Sequence, residues 1–470
     1  MRMKIISYCF MIGVILIFSH CESGKEKNSQ VMHTKKIRLM TLDPGHFHAA
    51  LVQKKMYDNV DSIVYVYAPE GKDVEMHLDR IRGYNTRKEN PTSWVEKVYL
   101  GPDFFERMLK EKPGNVMVVS GNNAKKADYI LKAVSQGINV LADKPMIILP
   151  EEFPMLENAF IQASANHVLL YDIMTERYEI TTILQKALSQ VPDFFGQLLN
   201  GTPEQPAITK ESVHHFFKYV SGNALIRPAW YFDVRQQGEG LVDVTTHLVD
   251  LVQWECFPEQ IIDYKQDIDI LAARRWTTDL TLQQFQKVTG LRTYPDYLSQ
   301  DVYEGDTLKV YSNGDILYKI RDVYAKVSVI WKFQAPEGTG DTHYSVMRGS
   351  RCDLIIQQGE VEGYTPVLYV AAKVDTTEFG NVITRVIGTD LQKKYPGIWV
   401  EKISGNEWKV NIPDEYKVGH EAHFSQVTEK FLEYLENDNI PDWEVPNMLA
   451  KYYTTTAALK LAKANDQNNQ

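Results

Sequence analysis

The sequence predicts an α/β domain followed by an α+β domain, and three observations carry that expectation. From residue 36 to about 170, short apolar bursts alternate with helical stretches, the pattern of a parallel sheet with helices on both faces. Beyond about residue 175 the bursts lengthen and become rich in aromatic and β-branched residues. Polar residues interrupt them, as in a large, open, mostly antiparallel sheet. The chain's 470 residues also exceed what one core fills, so two domains are expected.

The first 35 residues belong to neither domain. "MRMK" is positive, "IISYCFMIGVILIF" is apolar and "SHC" follows, a signal-peptide layout over residues 1–20. Cys21 takes the position of the lipidated first residue of a bacterial lipoprotein, with residues 21–35 as a polar tether. The expectation is a lipid-anchored protein of a Gram-negative envelope, periplasmic or associated with the outer membrane. Of four cysteines, Cys256 and Cys352 then remain, and two do not make a disulfide scaffold.

In the Rossmann-like domain, residues 36–170, "IRLMTL" reads as a strand and "HFHAALVQKKMY" as a helix. "SIVYVYA" is a strand, "EGKDVEMHLDRIRGYN" and "PDFFERMLKEK" are helices, and "NVMVVSG" is a strand. "NAKKADYILKAVSQG" is a helix stopped at Gly137, "NVLADKP" a strand, 151–165 a helix and "HVLLYD" a strand. The α+β domain, residues 171–435, opens with the helix "EITTILQKALSQV". Its strands are "ESVHHFFKYV", "KVSVIWKFQ", "THYSVMRGS", "RCDLIIQQ" and "VLYVAAKV", around the helix "GLVDVTTHLVDLVQWECF". "HEAHFSQVTEKFLEYLEND" is a last helix suited to pack back on the first domain. Residues 436–470 read as an extension whose final "KANDQNNQ" frays. A ligand is expected in the cleft between the domains.

Net charge of -10 provides no basic excess for phosphates, which argues against a nucleic-acid partner. Candidate chemistry lies elsewhere. Asp143, Lys144 and Pro145 end a parallel strand, where ligands of open α/β sheets bind. A lysine there can hydrogen-bond a hydroxyl, or it can be a surface lysine beside a turn. Asp243 and His247 share a helix face, with Asp250 at the next step. That pair suits a proton shuttle, or a helix cap beside an interfacial histidine. "LDPGHFHA" offers Asp43, His46 and His48 as metal donors without a distant partner, so no metal is expected. The same histidines suit a turn lining or a rebuilt cofactor loop. Trp230, Tyr231, Trp254 and Trp276 are candidates for a sugar platform or for core.

The order "ADKP" and then "GEGLVDVTTHLVD" resembles the Gfo/Idh/MocA family of glucose–fructose oxidoreductases and inositol dehydrogenases, here as a Bacteroidota-type lipoprotein member. The resemblance spans about residues 36 to 435. It implies NAD (or NADP) on the first domain and a sugar, glycoside or polyol under the second. Lys144 would orient substrate, and His247 would be the acid/base, assisted by Asp243 behind Gly238 and Gly240. Asp43, Gly45, His46, Phe47 and His48 would form the dinucleotide turn, with Glu70 on ribose. Ser120, Asn122, Asn123, Asp143 and Lys144 would line the nicotinamide end, and Arg177 and Tyr178 the substrate cleft. The resemblance departs from G-x-G-x-x-G, of which only Gly45 is present. The implied activity is an NAD(P)-dependent oxidoreductase with a tightly held cofactor in a homo-oligomer. The alternatives are an NAD-dependent glycoside-cleaving enzyme and a non-catalytic carbohydrate-binding lipoprotein.

Overall fold

The computed structural model describes residues 36–220 and 223–468; the leader, Cys21 and tether lie outside the described residues. Strands β1 (Leu39–Leu42), β2 (Ile63–Ala68), β3 (Val95–Leu100), β4 (Val116–Val119), β5 (Asn139–Asp143) and β6 (Leu170–Ile173) form one parallel sheet. Its order is β3-β2-β1-β4-β5-β6, so the winding reverses between β1 and β4. β1 and β4 are buried at every position, as central parallel strands must be. β3 was not expected, because its "VEKVYL" is mostly exposed at the sheet edge and carries Glu96 and Lys97.

Helices α1 (His48–Leu51), α2 (Lys72–Thr86), α3 (Phe104–Glu111), α4 (Lys126–Ser135) and α5 (Phe153–Ala165) connect these strands. α1 is far shorter than the twelve residues of "HFHAALVQKKMY" suggest. The Gln53 carbonyl, which would continue it, accepts instead from Trp94 Nε1 at 2.7 Å, and the Lys54 carbonyl accepts from Arg87 at 2.6 Å.

After α6 (Ile180–Ser189) the chain builds the second sheet. Its strands are β7 (Ile208–Phe217), β8 (Ile268–Thr281), β9 (Thr307–Ile320), β10 (Val323–Gln334), β11 (Thr342–Arg348), β12 (Cys352–Gln357), β13 (Val367–Ala372), β14 (Trp399–Lys402) and β15 (Glu407–Asn411). Their order is β8-β9-β10-β7-β11-β12-β13-β15-β14, antiparallel throughout except where β10 runs parallel to β7. The hairpin β8–β9 escaped the sequence reading. Its two strands are 14 residues each, and register shifts at Ile270/Ala272 and Trp276/Thr278 break the alternation that marks a strand. Helix α7 (Thr245–Cys256) is buried along its length against α6 and the sheet. Cys256 and Cys352 are free thiols. No described helix is long and apolar enough to cross a membrane.

Two helices return to the first domain. α8 (His420–Asn437) buries Phe424, Val427, Phe431 and Leu432 in the core of the parallel sheet. α9 (Glu444–Asn468) was expected as a fraying extension, yet it packs against α5, α7 and β8 and stays helical through Asn468. Its far end is tied by Lys463 to Glu239 at 3.1 Å and by Asp466 to Arg275 at 2.7 Å. Its buried face is polar, which hid it from hydrophobic patterning. Thr454 and Thr456 satisfy their hydroxyls on the carbonyls of Ala450 and Tyr452, both at 2.7 Å.

At the centre of this packing lies a charge network. Arg177 donates to both oxygens of Asp250 at 2.7 Å and to Glu444 at 2.9 Å. Lys451 pairs with Asp172 at 2.7 Å and with Asp250 at 2.9 Å, and Tyr452 donates to Asp172 at 2.9 Å. All five charged side chains are buried. Arg177 therefore faces this network and not the cleft, contrary to the substrate role implied for it, and Tyr178 packs against the first core. Removing one member leaves uncompensated charge behind. Lys451→Met is accordingly expected to lower the unfolding free energy by about 3–5 kcal/mol in urea titration; a loss below about 1 kcal/mol would refute a structural role.

Candidate active site

Lys144 stands at the carboxyl end of β5, where the sheet ends and its ligand crevice begins. Asp243 and His247 reach the same place from the turn before α7 and from its first turn. That turn presses on β9 at Gly240, where a Cβ would lie 2.0 Å from the Ser312 carbonyl oxygen, so only glycine fits. Thr245 Oγ1 closes the turn on the Gly240 carbonyl at 2.9 Å. The result is a Lys144 Nζ–Asp243 Oδ1 pair at 2.6 Å, with side chains 10% and 7% exposed. His247 lies buried beside it with Nδ1 unpartnered. Burial, then the Lys144 charge, pushes the His247 pKa down to about 3, so the ring is neutral at ordinary pH.

These groups open on a cavity of about 790 Å³ between the two sheets. Its first-domain wall is His46, Phe47, His48, Asn123, Asp143 and Lys144. The facing wall comes from the second sheet: Ser212 and His214 of β7, Trp331 of β10, Asp341 and His343. His214 Nδ1 lies 3.0 Å from Asp341 and its Nε2 lies 2.5 Å from Ser212 Oγ, while its ring stacks on Trp331 at 5.1 Å. Glu176, His420 and His423 close one side. Of the four aromatics considered for a platform, Tyr231 lines the cavity. Trp254 lies under Lys186 at 3.7 Å, and Trp276 is not on the wall.

Glu176, Ser212, His214, Asp341, His343, His420 and His423 were missed, because "HH", "THY" and "HEAH" read as ordinary strands and a helix start. Histidine number was the available signal: seven of the twelve histidines line this one cavity.

The strand–turn–helix "LDPGHFHA" occupies the dinucleotide position but is filled. The Gly45 amide donates to the Asp43 carbonyl at 2.8 Å and the His46 amide to the Ser120 carbonyl at 3.2 Å. Neither is left to face a pyrophosphate. Trp230 covers the turn: a Cβ on Gly45 would sit 3.0 Å from its ring, and its Nε1 donates to Asp73 at 2.7 Å. Asn122 and Asn123 donate to Gln236 Oε1 and the Gln237 carbonyl at 2.6 and 2.7 Å. The space left between Gly45 and residues 225–231 is about 10 Å³, a single water's worth. Asp43, pushed up to about 6 by burial and by Asp73, adds acidic character where an anion would lie. Glu70 is exposed and is not on the cavity wall. In this arrangement the residues do not fit a dinucleotide's pyrophosphate half; the nicotinamide end alone is open.

At that open end, His48 Nδ1 lies 2.9 Å and His46 Nδ1 3.7 Å from Asp143 Oδ2, which also accepts from Ser120 Oγ at 2.8 Å. Asp143 Oδ1 is buried without a partner. The distant donor that the sequence did not identify for the two histidines is thus Asp143, and Asp43 is not part of the group.

A family profile described as "Putative oxidoreductase C terminal domain" matches residues 184–463. A "putative oxidoreductase" of Parabacteroides merdae, known from its crystal structure, is 58% identical, with a TM-score of 0.89 over 92% of this chain and 98% of that one. The 3-ketoreductase KijD10 of Actinomadura kijaniata, solved with NADP and TDP-benzene, is 13% identical, with a TM-score of 0.54 over 90% and 97%. GenD2 from gentamicin A biosynthesis, solved with NAD, is 12% identical, with a TM-score of 0.54 over 96% and 98%. The last two likenesses establish the fold. No curated protein matches.

Burial holds His247 at about 3, against an ordinary 6.5. Below 6.5 the unfolded chain therefore binds a proton that the folded chain refuses, and this group withdraws stability as pH falls from 6.5 toward 4. Asp43 and Glu96, pushed up by burial to about 6 and about 7, act with the opposite sign. The measurement is thus a difference. His247→Asn should lose less melting temperature than the parent between pH 7 and pH 4.5, and parallel curves would contradict the assignment.

Proposed function

The chain belongs to the oxidoreductase family that this C-terminal domain defines, and from that premise we propose that it oxidises or reduces a hydroxyl or ketone of a sugar, glycoside or polyol. The observation that carries the proposal is the Lys144–Asp243 pair at 2.6 Å beside a neutral His247, all three on the wall of one cavity. His247 would take the hydroxyl proton as general base and return it in the reverse direction. Lys144, held in place by Asp243, would steady the negative charge that develops on the substrate oxygen in a partly enclosed cleft. Tyr231 and Trp331 offer aromatic faces, and Ser212, Asp341 and His343 offer polar groups, a mixture suited to a polyhydroxylated ring.

The solved relatives with NAD or NADP support a nicotinamide as the redox partner. Uptake of one requires residues 225–237 to leave the turn at Gly45. The leader and Cys21 support an envelope location with a lipid anchor. The closed groove favours one second reading, a carbohydrate-binding protein of the same fold.

His247→Ala and Lys144→Met are each expected to lower kcat/KM by about 10²–10⁴-fold, followed as keto-sugar formation with NAD(P)⁺ over a panel of glycosides and polyols. Trp230→Ala, which uncovers Gly45, should tighten NAD⁺ binding by about tenfold or more in calorimetry, since less of the population is then incompetent. Absence of both keto product and NAD(P) binding in the parent and in Trp230→Ala sinks the redox assignment. Sugar binding that survives would then favour the second reading.

A further inference from the structure

We propose that His46, His48 and Asp143 form a binding site for one divalent transition-metal ion of the zinc class, with an open coordination position facing the cavity. The three donors lie within 4.8 Å of one another and come from two separate segments, the turn after β1 and the end of β5. Metal–ligand bonds of about 2.0–2.1 Å in a tetrahedral site set donor–donor separations near 3.3 Å. The observed 2.9 Å and 3.7 Å from Asp143 Oδ2 to the two Nδ1 atoms bracket that distance, the two histidine donors lie within 4.8 Å of each other, and the long His48 amide bond to His46 Nδ1, 3.4 Å, would give way to the ion.

Two further observations point the same way. Asp143 is 4% exposed and its Oδ1 has no hydrogen-bond partner, so a carboxylate oxygen stands buried and unused within the cluster. Asp143 Oδ2 also accepts from Ser120 Oγ at 2.8 Å, an outer hydrogen bond of the kind that orients metal ligands. Lys144 is held by Asp243, and the buried Lys126 donates to the Asp143 backbone carbonyl at 2.9 Å, so neither ammonium occupies an Asp143 carboxylate oxygen.

Two imidazole nitrogens and one carboxylate oxygen select a borderline transition ion over magnesium or calcium, which prefer all-oxygen shells. Three protein ligands leave room for a water or a substrate oxygen, as in catalytic sites and unlike closed structural ones. All three residues line the cavity that holds Lys144 and His247, so a metal-bound substrate oxygen would be presented to that pair. This assignment goes beyond the redox proposal and does not depend on it. It concerns only ion binding by the resting protein.

The test uses the full mature chain, stripped with a chelator and dialysed, without NAD(P) or sugar. Calorimetric titration with Zn²⁺ and elemental analysis after gel filtration should give one ion per chain. Replacement by Co²⁺ should produce the visible absorption of a low-coordinate N/O site. His46→Ala and Asp143→Asn should each weaken Zn²⁺ binding by at least about 100-fold, and Ser120→Ala by about 10–100-fold. Because Asp143 and Ser120 are buried, each variant is checked for a parental circular-dichroism spectrum. His46→Ala, at a half-buried position, is decisive if the others unfold. No stoichiometric ion in the parent overturns the proposal, as does an ion retained with parental affinity in His46→Ala. Loss of redox activity with ion binding intact would count against the enzyme reading alone.

Discussion

The position of Asp250 on α7 governs the whole cleft. Its carboxylate is shared by Arg177, which follows the first sheet, and by Lys451 on α9, both within hydrogen-bond distance. Such a buried pairing contributes little net stability compared with apolar packing, but it tolerates very few geometries. It therefore fixes the rotation of α7 about its own axis. Asp243 and His247 sit on that helix or its entry turn, and their reach toward Lys144 follows from that rotation. Asp243 and His247 are thus oriented by charges that the cleft itself does not expose.

How much of this was legible in the sequence depended on how local each signal was. "ADKP" and "GEGLVDVTTH" could be read because each places its functional side chains within one strand end or one helical turn. The parallel sheet could be read because buried strands are continuous apolar runs. α9 could not, since its buried face carries Lys451, whose partners come from elsewhere in the fold, and three threonines that bond back to carbonyls of their own helix. Arg177 was misread for the same reason: a buried arginine and a cleft arginine look alike until Asp250 and Glu444 are seen beside it. The strand pair β8–β9 was concealed by its register shifts. The second-sheet wall of the cavity depended on separate strands meeting, which no single motif records.

The turn at Gly45 joins these two themes. A glycine-rich loop keeps its amides free for an anion; here two of them are consumed by neighbouring carbonyls, and a tryptophan from the second domain lies over the turn. The local chain has the order of a nucleotide-binding turn and the hydrogen bonding of an interdomain contact. Sequence order supplies the first property, and only the second domain supplies the other. His46 and His48 become informative when Asp143, from four strands further along the chain, is placed against them.

The lateness of α9 in the chain carries a consequence for biogenesis. Lys451 and Glu444 lie 201 and 267 residues after Asp250 and Arg177, which need them as counter-charges. Domains that fold during synthesis do so from their N-terminal end. This one lacks the charges that balance its interior until α9 has been made, so the packing that orients its cleft is completed only after both sheets have been synthesised.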